Sequence, residues 1–314
     1  MVINETTGKS ISLLPCDEGP YVWDKSTHLE GIGSTFQWRK TSLMASHFIN
    51  GSWIGYLINE HYKEDGEQSS YFGLSYTHCD QLSLKTYQTT RPDRFKIIKE
   101  TQHLRDCLSK LAVNSTTILV FETEHLDEGH NYMAFDQSFR TRFHQQRALR
   151  KTLSRKKDEF WVTVHFRWGD VKTHDPSSPD TRAGLRLKEY CLCIDRILIL
   201  RPNARIFLFA EELNNITEAC KIIDHKGISF QNESISWKRD IDIISQSNLL
   251  IGGSSSFFVL GAHLCQSCTV IHNSVTKFSK SKYEKTLRTH MVDSFCNIDI
   301  NCYLRQIIKY LRVN

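Results

Sequence analysis

Apolar positions follow a regular rhythm in the second half of the chain and a broken one in the first. Residues 160–166 form an apolar run that predicts a buried strand. Leu187, Tyr190, Cys191, Ile194 and Leu198 recur at helical spacing and predict a helix with one apolar face. The pattern then predicts a strand over 205–210, a helix over 211–223 and a short strand over 228–230. One or two helical turns come next over 241–246, then a strand over 249–251, a helix over 257–264 and a strand over 269–271. Leu304, Ile307, Ile308 and Leu311 mark a last amphipathic helix. Strands that alternate with helices predict a parallel sheet with helices on both faces.

The first half reads less cleanly. Gly31-Ile32-Gly33-Ser34 reads as a glycine turn that leads into a helix over 36–49. Ile118-Leu119-Val120-Phe121 is a short buried strand, and residues 63–70 form a polar loop. The basic run over 147–157 reads as the linker region, or else as a solvated helix end. The expected division is residues 1–155 and residues 156–314.

Composition changes this picture little. A chain of 314 residues can hold two cores. Its 40% hydrophobic and 24% charged residues exclude collagen-like and disordered classes. A net charge of +5 is too mild to imply a nucleic-acid partner. No apolar run of about 18 residues predicts a membrane span. The opening residues show no apolar core behind a basic start, so no secretory signal is expected. Two features point the other way. Glycosylation sequons occur at Asn4, Asn50, Asn114, Asn215 and Asn232, and there are ten cysteines. The cysteines are expected to be buried free thiols. The expected compartment is the secretory lumen of the Golgi if the chain is truncated at its start, and the cytoplasm otherwise.

Two segments carry chemistry. The first is Val162-Thr163-Val164-His165-Phe166-Arg167-Trp168-Gly169-Asp170, a strand that runs straight into His, Arg, Gly and Asp. Ligands of open parallel sheets bind beyond the carboxyl ends of the strands, where this motif lies. Arg167 offers a charged fork suited to a diphosphate. In the second segment, residues 249–251 end in Gly252-Gly253-Ser254-Ser255-Ser256-Phe257 and a helix begins. Free amides, the helix dipole and three hydroxyls converge at such a turn, which suits a phosphate. No Walker lysine is present, so a P-loop NTPase is disfavoured. Asp240-Ile241-Asp242 has the look of a metal-binding pair but opens a helix. Cys265-Gln266-Ser267-Cys268 has zinc-like spacing but no second pair. Glu211 and Glu212 suit either an acidic first helical turn or the orientation of Arg167 or an acceptor.

Together these segments resemble the GDP-fucose-dependent fucosyltransferases that share an His-x-Arg-x-Gly-Asp motif, and most of all the alpha-1,2-fucosyltransferases. Residues 240–264 match the C-terminal motif of that family without a gap. Ser245-Gln246 and Ser255-Ser256 are also similar to alpha-1,6-fucosyltransferases and protein O-fucosyltransferases. The resemblance implies an α/β fold of two facing Rossmann-like domains, the GT-B arrangement. Residues 1–155 would be the acceptor-side domain and 156–314 the GDP-sugar-binding domain. It implies transfer of fucose from GDP-fucose, with inversion, to a hydroxyl of a glycan or glycoprotein acceptor, without cofactor or metal. Arg167 would bind the β-phosphate and His165 would line the donor site. Asp240 would read the guanine edge. Ser254, Ser255, Ser256 and Phe257 would hold the diphosphate, and Gly33 and Ser34 would approach the donor. His165, Asp170 and Glu212 are the candidates for general base. The chain departs from the family at Ser34, where Asn is usual, at Trp168, where a second Arg is usual, and at Val259-Leu260, which replace a Trp pair. These departures keep three alternatives open: a protein O-fucosyltransferase, an alpha-1,6-type enzyme, and a homologue that binds nucleotide or glycan without turnover.

Overall fold

A computed structural model of the chain describes residues 20–24, 32–54, 71–74, 76–77, 88–90, 101–115, 117–121, 135, 137–150, 153–166, 187–209, 236–253, 255–266, 268–272 and 300–313. The chain divides between Leu149 and Arg150 into two units, with Ile32–Ser34 counted to the second.

The first unit is built on a wholly parallel five-stranded sheet. Its strands are β1 (Tyr21–Asp24), β2 (Ser52–Ile54), β3 (Tyr76–Thr77), β4 (Gln88–Thr90) and β5 (Thr117–Phe121). They lie in the order β3-β2-β1-β5-β4. Three helices belong to this half of the chain: α1 (Ile32–Phe48), α2 (Thr101–Ser109) and α3 (Gln137–Leu149). The expected glycine turn is corrected here, because α1 already begins at Ile32 and holds Gly33 and Ser34 in its first turn. Just past the end of the helix, Asn50 has a left-handed φ of 51°, a conformation Asn adopts more readily than most residues. Gly51 then donates to the Ser46 carbonyl at 2.9 Å, and the Ser46 hydroxyl donates to the Gly51 carbonyl at 2.6 Å, which launches β2. The core beside α3 is aromatic. Phe139 and Phe143, one turn apart, meet Phe72 at 6.0 and 5.9 Å between ring centroids, and Phe135 stacks on Phe139 at 4.4 Å.

The second unit has a wholly parallel sheet of β6 (Trp161–His165), β7 (Arg205–Phe209), β8 (Leu249–Gly252) and β9 (Thr269–His272), in the order β7-β6-β8-β9. Its helices are α4 (Leu187–Leu200), α5 (Trp237–Ile244), α6 (Ser256–Leu264) and α7 (Ile300–Val313). This is the α/β fold with parallel sheets that the alternating pattern predicts. Alternation along β6 sends Val162 and Val164 into a core with Ile194 of α4 and with Tyr303, Ile307 and Leu311 of α7. Tyr303, Ile307 and Leu311 are four residues apart and form one stripe. On α5 and α6, a methyl group added at Gly261 would sit 2.3 Å from Ile244 Cγ2, so glycine is what lets the two helices approach. The Cys265 thiol, just past α6, donates to the Ile244 carbonyl at 3.2 Å. The polar loop over 63–70, the helix over 211–223 and the strand over 228–230 fall outside the described residues.

The basic run spans the division between the two units, and its cations differ: Lys156 and Lys157 are exposed, whereas Arg150 and Arg155 are engaged. Arg147 closes α3, and Arg150 pairs with the buried Asp242 at 2.9 Å. Arg155 donates to the Asn248 side chain at 2.9 Å and to the Glu159 carbonyl at 3.2 Å. Gln246 closes the arrangement, since its amide nitrogen donates to the Leu153 and Asp242 carbonyls and its oxygen accepts the Arg155 amide. The crossing segment is thereby tied to the end of α5 and the start of β8. Charge density along a sequence does not reveal which buried acceptors a fold will lay beside it.

Candidate active site

The strand order defines where a ligand crevice belongs. From β6 the chain moves to β7 on one side, and from β7 it crosses to β8 on the other. The carboxyl edge between β6 and β8 is thus a topological switch point, the place where open parallel sheets bind ligands. His165 ends β6, Gly252 ends β8, and the two are register partners. The two sequence segments singled out for chemistry therefore meet at one point of one sheet edge.

His165 lies on the face of β6 opposite to Val162 and Val164, and it is buried. Its ring meets those of Phe257 and Phe258, in the first turn of α6, at centroid distances of 6.1 and 5.9 Å. Phe258 also covers Gly252: a Cβ there would lie 3.1 Å from two atoms of its ring. Ser255 is the N-cap residue of α6, with extended backbone (φ −83°, ψ 131°). Its side chain makes no cap hydrogen bond, and no acidic residue stands in the first turn of the helix. The positive end of the helix dipole is thus not offset by a carboxylate of its own first turn, which suits an anion.

Asp240 stands in the first turn of α5 and is buried. A short connection joins the end of α5 to the start of β8, so the helix runs back against the strand and its first turn lies toward the carboxyl edge. His165, Asp240, Ser255 and Phe257 thus belong to the same end of the second sheet. Ser256 opens α6. Gly33 and Ser34 lie in the first turn of α1. Arg167, Asp170, Glu212 and Ser254 fall outside the described residues, so their contacts are not part of this geometry.

Asp240 and Asp242 do not form a chelating pair. Residues two apart on a helix point to different sides, and Asp242 is engaged by Arg150. Among the described residues, no group of three or more His, Cys, Asp or Glu side chains is placed to hold a metal ion. Cys265, Cys268, Cys191 and Cys193 are buried and form no disulfide. Burial, with Glu189 and Cys191 nearby, pushes the Cys193 thiol up to about 12, so it is a core group and not a nucleophile.

One residue at this edge escapes sequence reasoning. The Tyr303 hydroxyl donates to the Gly252 carbonyl at 3.1 Å. The stripe of residues 303, 307 and 311 marks Tyr303 as core-facing, but nothing in the pattern says which atom its hydroxyl reaches.

The strand pairing defines an α/β protein whose second parallel sheet turns between β6 and β8. No protein-family model matches the chain, and a search of curated proteins finds no match. Solved structures similar to it include POFUT1 in complex with GDP-fucose, at 11% identity over 79% of this chain and 94% of that one, with a TM-score of 0.43. The E. coli heptosyltransferase WaaC with ADP is similar at 11% identity over 92% and 97%, with a TM-score of 0.46. A glycosyl transferase family 9 structure from Veillonella parvula is similar at 10% identity over 96% and 100%, with a TM-score of 0.44. The α/β fold rests on the strand pairing itself. Among the described residues, no helix is long and apolar enough to cross a membrane.

Proposed function

We propose that the chain is a glycosyltransferase of the GT-B arrangement that transfers fucose from GDP-fucose to an acceptor hydroxyl with inversion. The observation that carries this is the meeting of His165 and the Gly252-to-Phe257 turn at the β6/β8 switch point. An arginine two residues after His165 and a serine turn at a helix start supply what a departing diphosphate needs. As the glycosidic bond breaks, positive charge spreads over the sugar ring and negative charge gathers on GDP. Arg167, the hydroxyls of Ser254, Ser255 and Ser256, and the first amides of α6 stabilise that negative charge, so no metal is needed. Asp240 reads the guanine edge. His165, Asp170 or Glu212 takes the acceptor proton. The acceptor we favour is a galactoside, with an alpha-1,2 linkage formed; protein O-fucosylation and alpha-1,6 transfer are the alternatives. A second reading, nucleotide or glycan binding without turnover, is favoured by Ser34 and Trp168, which differ from the residues usual in the resembled family.

Calorimetric titration with GDP-fucose, GDP-mannose and UDP-sugars, with and without EDTA, combined with a GDP-release assay, tests the proposal. GDP-fucose should bind and EDTA should change nothing. Loss of binding in EDTA would overturn the metal-free mechanism. Tight binding with no GDP release across glycan and protein acceptors would favour the binding-only reading.

A further inference from the structure

The helix α7 is tied to the last residue of β8 and to the residue just before that strand. Tyr303 donates its hydroxyl to the Gly252 carbonyl at 3.1 Å, and Tyr310 donates its own to the Asn248 carbonyl at 3.3 Å. The tyrosines are seven residues apart, about 10 Å along a helix. The two carbonyls are four residues apart, about 13 Å along a strand. α7 therefore runs against β8 and brackets it, with Tyr310 at the amino end and Tyr303 at the edge where the candidate site lies.

The two ends of the strand lead into different backbone. Beyond Gly252 come Gly253 and the turn into α6. Two consecutive glycines leave this stretch more conformational freedom than any other pair of residues would. A cradle for a diphosphate needs its amides already aimed. Phe258 presses on the Cα side of Gly252, and the Tyr303 hydroxyl holds its carbonyl. Tyr303 is fully buried between α7 and the sheet, so its hydroxyl has little room to leave that acceptor. The peptide joining Gly252 to Gly253 is thereby fixed from two directions.

We propose that Tyr303 is a positioning residue for the diphosphate end of the site. Its hydroxyl fixes the Gly252 carbonyl and so aims the amides of the turn that enters α6. This rests on the proposed donor reading. Tyr303 does not touch the donor. It acts through the backbone, at a place the resemblance to known enzymes does not mark.

The test compares Tyr303→Phe with Tyr310→Phe. Each removes one hydroxyl of α7 and keeps the ring; the Asn248 carbonyl still accepts the Thr269 amide at 2.9 Å, so Tyr310→Phe controls for loss of a hydroxyl away from the site. GDP and guanosine affinities are measured on both variants and on the unmodified chain, with hydrogen exchange at the Gly253 and Phe257 amides. A purely structural role would move GDP and guanosine together. Positioning predicts that Tyr303→Phe weakens GDP roughly three- to tenfold and leaves guanosine unchanged. It also predicts faster exchange at Gly253 and Phe257 in that variant, and neither effect in Tyr310→Phe. An unchanged ratio of GDP to guanosine affinity in Tyr303→Phe, with exchange as in the unmodified chain, would overturn the inference. If the unmodified chain binds neither ligand, the donor reading falls and the inference falls with it.

Discussion

Both sheets are wholly parallel, and both change direction once. In the first sheet the order turns between β1 and β5, and in the second between β6 and β8. The ends of the turning strands differ. In the first sheet Asp24 pairs with Phe121. In the second, His165 pairs with Gly252, and four residues later α6 begins with its own first turn free of carboxylates. Topology supplies a crevice at each sheet, but an anion also needs strand ends that release the chain at once into amides and cations. In the second sheet, α6 supplies such amides four residues after Gly252. The cores differ in the same sense. The first unit packs α3 through a cluster of phenylalanines, whereas the second brings α5 and α6 together through a glycine.

The largest effect that bears on this contrast is at Arg167. Lysine keeps the charge but loses the fork, so Arg167→Lys should cost roughly 2–4 kcal/mol of transition-state stabilisation, on the order of 30- to 1000-fold in turnover. GDP affinity should fall less than the rate. Initial rates beside GDP titrations on Arg167→Lys and Asp24→Asn provide the check. A loss at Asp24 as large as that at Arg167 would break the contrast and put chemistry at both sheets.

Next comes Gly261. Alanine there would force its methyl group against Ile244, at a cost of about 1–3 kcal/mol from overpacking. Thermal unfolding of Gly261→Ala should show it. In a double-mutant cycle the cost of Gly261→Ala should be smaller in an Ile244→Ala background, because that change removes the Cγ2 atom nearest the added methyl group. An undiminished cost would mean that the helices do not meet as described.

A somewhat smaller cost is expected at Arg150. Replacing it with Met keeps much of the stem but removes the cation that pairs with the Asp242 carboxylate. Asp242 is buried and Arg150 only partly so, which puts the loss at about 1–2 kcal/mol. Restoration by Asp242→Asn in the same chain, read by denaturant unfolding, would confirm that the stranded charge is the cause.

The smallest effect is at Glu159. Its carboxylate accepts the Lys156 amide at 3.1 Å and the Trp161 indole N–H at 2.8 Å. The Lys156 bond comes first among the causes that hold its carboxyl below the usual carboxylate range. A carboxyl depressed in the folded state adds stability above its ordinary pKa, and that stability is lost as the pH falls through the folded value. The melting temperature should therefore fall slightly on acidification, and Glu159→Gln should flatten that slope. A variant with the same slope as the unmodified chain would remove Glu159 from the account.

The second sheet was legible because its strands are continuous apolar runs of four or five residues separated by helices with a clear 3.6 period. Trp161–His165, Arg205–Phe209, Leu249–Gly252 and Thr269–His272 all stand within a residue or two of where the pattern puts them. The strands β2, β3 and β4 of the first sheet are three, two and three residues long, too short for any period to register. Their pairing is decided by neighbours distant in sequence, as when Tyr21 lies beside both Ser52 and Ile118. By itself the sequence determined that the second half is a parallel α/β unit, and that His165 and the glycine–serine turn close strands of it. Each is a local fact, set by side-chain period and by residues adjacent along the chain. The tertiary structure alone decided that those two strand ends are register partners at the point where the sheet turns. It alone decided that Arg150 reaches a buried Asp242 and that Tyr303 reaches the Gly252 carbonyl. Those contacts join residues about fifty to ninety positions apart, and a one-dimensional pattern cannot fix which distant groups packing will bring together.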